Sequence, residues 1–409
     1  MSSSIYRVTR GLLAGLALVI VAPPWAAGES DELHRAESAP SEASLLDVAV
    51  LVLDANLPDE PAALRDLEAD GIFSEAREAE SRYLPVVLQR TLQSSGFWGQ
   101  VRVLPGPAIS DVTVSGIVLS SSGAKLELEV RVADSRGKVW LEKRYAKKAD
   151  ASTYLKRELA EDPFQAVHNR IANDTLKRYR RLDSEDIRQI HSTSRMRFAA
   201  DLAPEAFASY VKAEKNSRYT LARLPARDDS MMNRVDRIRD RDSIFMDIVD
   251  EYYRGFHAQM RAPYDSWRAH DYWRRGAMKT VRPTSTSRGP SPWSPGALDG
   301  GRPWNGFGSS CGTPRLLGGS SSSQQGLDAW AGRDANGHLK ALRELGASLA
   351  ADVAPLLVEV DGQVMRLTGS LESQYARWRT LIRDIYAEET GLPVLSVAPV
   401  ADEPAPPQR

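Results

Sequence analysis

From Val112 to Tyr145 apolar and polar residues alternate so regularly that few arrangements besides an antiparallel sheet can bury the apolar set. Val112 to Leu119 reads as one strand. Lys125 to Ala133 reads as a second, with Leu126, Leu128, Val130 and Val132 on one face, and Lys138 to Tyr145 as a third. Ser122-Gly123 and Asp134-Ser135-Arg136-Gly137 fit the hairpin connections between them.

The residues upstream extend the pattern. Leu46 to Leu53 is dense in branched apolar side chains, as for a strand buried on both faces. The segment after Asn56 is acidic and loop-like. Ser74 is placed to cap a helix with Glu75 in its first turn, Leu84, Val87, Leu88 and Thr91 along one face, and Gly96 at its end. A short strand, Val101 to Leu104, follows. The expected fold class is α+β: an N-terminal α/β module of order β-α-β-β-β-β over 45–150, with one long helix on a mixed sheet, then a mainly helical region and a small C-terminal β-hairpin plus helix.

The runs "VAVLVLD", "LQSSGFWGQVRVLP" and "DVTVSGIVLSSSGAKLELEVRVADSRGKVWLEKRY" resemble the small periplasmic α/β domain of several envelope proteins. These are the amino-terminal domain of the Tol–Pal translocation protein, the penicillin-binding-protein activator lipoproteins and the curli secretion lipoprotein. The resemblance covers about a quarter of the chain and implies binding to other envelope proteins, although a fold does not fix a function. The lipoprotein groups carry a lipidated cysteine after their leader, whereas the single cysteine here is Cys311.

Across 151–282 the pattern turns helical. Asp162-Pro163 reads as a helix start, with Phe164, Val167, His168, Ile171, Leu176 and Tyr179 on one face. A lone His in such a stripe is the usual sign of a packed side chain. Ala203-Pro204-Glu205 marks a second start. Arg234 to Lys279 mixes dense charge with aromatic residues, and Pro263 is expected to kink or divide its helix. Tyr264, Trp267, Tyr272 and Trp273 fit two readings: packing on neighbouring helices, or a platform for a sugar or partner protein.

Ser, Gly and Pro make up more than half of Pro283 to Gly326, and Lys, Glu, Val, Ile and Tyr vanish from it. Two accounts fit: a disordered linker over 283–330, or a stretch read in a shifted frame. In 331–392 a helix, a strand from Leu356 to Val360, an Asp361-Gly362 turn, a strand from Val364 to Leu367 and a helix capped by Ser370 and closed by Gly391 are expected, then a disordered tail from Pro393.

At the amino end, Arg7 and Arg10 precede an apolar run from Gly11 to Val21, a Pro23-Pro24 break and Ala26-Ala27-Gly28. This is the order of a secretory leader cleaved near Gly28, too short to span a bilayer, with 29–44 as a linker behind it. The expected place is the periplasm or cell envelope, where peripheral membrane contact is open.

Lys plus Arg (53) nearly balances Asp plus Glu (54), which gives no signal for nucleic acid. One cysteine excludes an internal disulfide framework and a Cys-based zinc site. No helix with the His-Glu-x-x-His spacing, Gly-x-Ser-x-Gly elbow or phosphate-binding loop occurs, so the sequence offers no catalytic, cofactor or metal residues. The nearest constellation is His257 with His270-Asp271; Asp228-Asp229 and Glu388-Glu389 read as solvated surface. The expectation is a non-catalytic binding or scaffold component for envelope proteins. The alternative is a peptidoglycan-binding protein or cell-wall enzyme using 264–273.

Overall fold

A computed structural model of the protein describes residues 31–69, 73–154, 161–226, 228–280, 337, 340–344, 347, 354–360 and 363–391. The leader at 1–28, the Ser/Gly/Pro-rich stretch with Cys311, the Asp361-Gly362 turn and the tail from Pro393 lie outside the described residues.

The apolar run at Val48–Leu51 (β1) becomes an interior strand of a five-stranded mixed sheet. It pairs in parallel with Val101–Leu104 (β2) on one side and Val112–Ser121 (β3) on the other. Lys125–Asp134 (β4) and Val139–Lys148 (β5) then add antiparallel, giving the order β2-β1-β3-β4-β5. Every second residue of β4 is buried, as its alternation requires. The α/β module and its mixed sheet are therefore as the sequence implies.

A helix at Pro61–Ala69 (α1) forms where the sequence reads as loop. The long helix Ser74–Ser95 (α2) lies across the sheet, with Leu84, Val87, Leu88 and Leu92 in the core and Gly96 closing it at φ 77°. Ser74 is its first helical residue rather than its cap, a role held by the backbone of Phe73. Pro85 interrupts the helix's own hydrogen bonding, since it has no N–H to give to the Ser81 carbonyl four residues earlier. Leu53 N–H takes that place at 3.0 Å and fastens the chain just past β1 to the helix.

The turn between β4 and β5 is organised around one buried carboxylate. Asp134 accepts the N–H groups of Arg136 (3.0 Å) and Lys138 (3.1 Å) and the Trp140 indole (3.1 Å), and Gly137 completes the turn at φ 74°.

Asp162-Pro163 heads the next helix as expected, but the helix proper is Gln165–Tyr179 (α4), after the short Ala151–Tyr154 (α3). Ser184–Leu202 (α5) and Pro204–Phe207 (α6) follow. The chain then departs from the helical expectation. Val211–Glu214 (β6) and Arg218–Leu221 (β7) form a hairpin around Asn216 and Ser217, both at positive φ.

Ser230–Thr280 (α7) is one helix of 51 residues, about 75 Å at 1.5 Å per residue, and Pro263 does not divide it. It runs past the β2 edge, where Asp250 accepts the Val103 N–H at 2.7 Å and Asp247 pairs with Arg102 at 2.6 Å, so that edge is covered. Met232, Val235, Phe245 and Tyr253 join one core cluster, and Phe256, Met260, Tyr264 and Trp267 the other. Leu356–Val360 (β8) and Gln363–Leu367 (β9) pair as the C-terminal hairpin. Leu371–Thr390 (α8), capped by Ser370 and closed by Gly391 at φ 65°, packs Trp378 on Phe245 at 4.7 Å. The expected segments thus share cores: Ala49, Val86 and Val103 of the α/β module sit in one cluster with Leu356 and Trp378.

The 29–44 stretch is not a free linker from Asp31 onward. Asp31 pairs with Arg170 and Lys147, both at 2.7 Å, and Ala36 N–H bonds to the Ser95 carbonyl.

The β3–β4 turn meets α7 at Gly123. A Cβ there would lie 1.9 Å from the Arg268 carbonyl oxygen and 2.6 Å from the Tyr272 nitrogen, both backbone atoms. Gly123→Ala is expected to lower stability by about 1–3 kcal/mol through that overlap, read by urea unfolding. An unchanged midpoint would contradict the close approach.

Candidate functional site

Two clefts flank the sheet, and they differ in character. The first, of about 730 Å³, opens where the Pro105–Ile109 loop leaves β2 and meets α5, β6, β7 and α8. Ligands of open α/β sheets gather beyond the C-terminal strand ends, and β2 ends here at Leu104. Pro107, Ala108, Ile109, Ala200, Val211 and Ala376 give it apolar walls.

Its arginines are fixed. Arg379 donates to Asp242 at 3.1 Å and pairs closely with Asp201, and Arg383 reaches Asp201 at 2.8 Å. Arg197 donates to the Ser135 carbonyl at 2.8 Å and stacks 3.8 Å from the Tyr219 ring centroid, and burial lowers its pKa. The Tyr375 hydroxyl is buried there without a hydrogen-bond partner.

The second cleft, of about 680 Å³, is polar and is walled by α2, the Glu161-Asp162 turn, α4, α7 and the segment at Asp31–Arg35. Behind it lies a buried charge cluster. Arg268 is fully buried and reaches Asp162 at 2.9 Å and Asp265 at 2.7 Å, with its guanidinium 4.0 Å from the Tyr264 ring centroid. Burial would lower the Arg268 pKa, but Asp162, Tyr264 and Asp265 carry it well above its usual value. Burial raises both carboxyls. Arg268, His168 and the Phe164 N–H pull Asp162 below the ordinary range, while Asp265 stays above it.

Two histidines border this cluster. His168 is fully buried, with neither ring nitrogen hydrogen-bonded, and burial lowers its pKa to about 4. His257 is 4% exposed and stacks on Tyr83 at 4.3 Å; burial and the neighbouring Arg90 bring its pKa to about 4. Both are neutral at pH 7. The helical stripe at His168 therefore holds a packed, uncharged imidazole.

Tyr264, Trp267, Tyr272 and Trp273 do not form one open platform. Tyr264 is fully buried, donating to Glu80 at 2.9 Å, and Trp267 stacks beside it at 5.9 Å. Tyr272 lies against Tyr154 at 5.0 Å and Trp273 meets it edge-on, both half-buried. His257 and Asp271 do not converge either, being separated by about 20 Å of helix axis. Asp271 instead accepts Gly123 N–H at 3.0 Å and pairs with Arg274 and Arg275. Asp229 is no mere surface charge: it accepts the N–H groups of Met231 and Met232 and caps α7.

The sequence reading missed Tyr83, Arg90 and Arg268. The available signal was Arg268 itself, a charge on the same face as Tyr264, Trp267 and Asp271. Among the described residues no group of His, Cys, Asp and Glu could hold a metal ion, and no helix is long and apolar enough to cross a membrane. No protein-family description, curated protein or solved structure matches this chain.

Proposed function

We propose that the chain is an exported cell-envelope protein that acts by binding a partner protein, and that the apolar cleft beside Pro105–Ile109 is where the partner docks. The observation that carries the reading is the pairing of small apolar walls with guanidinium groups locked into ion pairs and stacks. Such a surface is pre-organised, so an apolar segment carrying a carboxylate can enter without first ordering the arginine side chains. The cleft lies on packed helices and strands, and its guanidinium groups are held in ion pairs and stacks rather than poised for proton transfer.

Ala376 is exposed on the cleft wall, so Ala376→Trp fills the cleft without disturbing the core. After in-cell crosslinking, that variant is expected to recover at least ten-fold less envelope partner than the parent protein. Undiminished recovery, or retention by bare sacculi as the sole association, would overturn the reading.

Export rests on the leader pattern at Met1–Gly28. Amino-terminal sequencing of the fractionated protein is expected to begin at Glu29 in the periplasmic fraction. A chain that retains Met1 in the cytoplasm would contradict it.

A further inference from the structure

The polar cleft is separate from the partner cleft and asks for a different occupant. On its wall the His257 ring is 4% exposed, and no described side chain hydrogen-bonds it; Nδ1 is fully buried without a partner. Nδ1 is sealed inside the wall, as both nitrogens of His168 are, so Nε2 is the ring nitrogen left to meet an occupant of the cleft. Four acidic residues line the wall, Asp31, Glu32, Glu161 and Asp162, and two of them are neutralised in place. Asp162 is held by Arg268, and Asp31 by Lys147 and Arg170. Arg90, one helical stretch along α2 from Tyr83, makes no ion pair with any described residue, and Arg261, paired at 3.9 Å with Asp265, lines the same wall.

We propose that this cleft binds a small ligand through an oxyanion group, carboxylate or phosphate, held by the guanidinium groups of Arg90 and Arg261 and by a ring N–H of His257. The planar fork of a guanidinium suits either oxyanion. Tyr83, stacked on His257, fixes the ring plane from behind. The volume of about 680 Å³ falls in the range of ordinary small-molecule sites and leaves room for more than the anion.

The test uses the full chain at pH 7 and constant ionic strength, titrated separately with inorganic phosphate and with acetate, with chloride as the balancing ion. Calorimetry reads affinity and nitrogen NMR reads the His257 ring. One saturable site with a dissociation constant on the order of 1 mM is expected for at least one probe. It should shift the His257 ring resonances and weaken at least ten-fold in Arg90→Ala. Arg90 is exposed, so this variant keeps its fold. Phosphate alone binding assigns a phosphate ligand, and acetate alone assigns a carboxylate. No saturable binding of either probe, binding unchanged in Arg90→Ala, or an unmoved His257 ring would overturn the proposal. None of these outcomes bears on the partner cleft, which Ala376→Trp tests by itself.

Discussion

Arg268→Ala is expected to destabilise the protein by about 3–5 kcal/mol, the range for removing one member of a buried ion cluster. The guanidinium is fully buried and serves Asp162 and Asp265 together. Without it both carboxylates remain desolvated without their main counter-charge, and the Tyr264 ring loses the cation beside it. The loss is larger than the net worth of the pairs, because burial of an unpaired charge is penalised in full. Adding Asp162→Asn and Asp265→Asn to Arg268→Met should recover part of it, since a neutral, filled cluster avoids that penalty. Urea unfolding reads both variants. A loss under 1 kcal/mol for Arg268→Ala would mean that the cluster does not hold α7 to the turn before α4.

The second large effect is on pH dependence and runs through His168. Its folded pKa of about 4 lies below the ordinary 6.5. Between those values the unfolded chain binds a proton that the folded chain refuses, so this group's contribution falls as pH drops from 6.5 to 4. The difference corresponds to about 3 kcal/mol at ~1.4 kcal/mol per unit. His257, lowered to about 4 as well, acts in the same direction. Glu80, Asp242, Asp250 and Asp265 act the other way. Burial raises their pKa values, so the fold takes up protons early and gains stability as pH falls through them. His191 also favours low pH, because its hydrogen bond to Asp111 raises it.

With opposing groups in one window, the difference between two proteins is the clean observable. His168→Leu is expected to be close to the parent at pH 7, where it removes two unbonded ring nitrogens, and to gain about 3 kcal/mol over it by pH 4. Parallel stability profiles for the two proteins would contradict a neutral His168 in the fold.

How much of this was legible depended on whether a residue's neighbours were close in sequence. The β3–β5 ladder, the α2 face, the Ser370 cap and the glycine ends at Gly96 and Gly391 follow from local period and turn chemistry, and they stand as read. The β6–β7 hairpin did not, because its strands are four residues each and mostly exposed, so the alternation of Val211 and Ala213 with Tyr219 and Leu221 is too short to stand out. Asn216 at φ 62° was the sign of its turn.

Asp162 was visible as a helix start, but its role as counter-charge to Arg268 joins residues 106 apart and leaves no local pattern. Pro85 carried a signal that was there to use: a proline inside a strong helical period frees a carbonyl, and here Leu53, just past β1, takes it. The aromatic run at 264–273 had the right residues for a platform. Arg268, Glu80 and Tyr83 draw its first half into the core instead. The apolar cleft gave no sequence sign at all, because the Pro105–Ile109 loop, the β6–β7 hairpin and α8 meet only in the folded chain.

Site-specific photo-crosslinking in intact cells tests the partner cleft most directly. A photoreactive residue at Ala376, on the cleft wall, is compared with one at Ile244, which is 62% exposed on α7 and lines neither cleft. One discrete higher-mass adduct from position 376, absent from position 244 and lost when Ala108→Trp closes the cleft, is the expected result. No adduct at 376, or the same adducts from both positions, would contradict partner docking in this cleft.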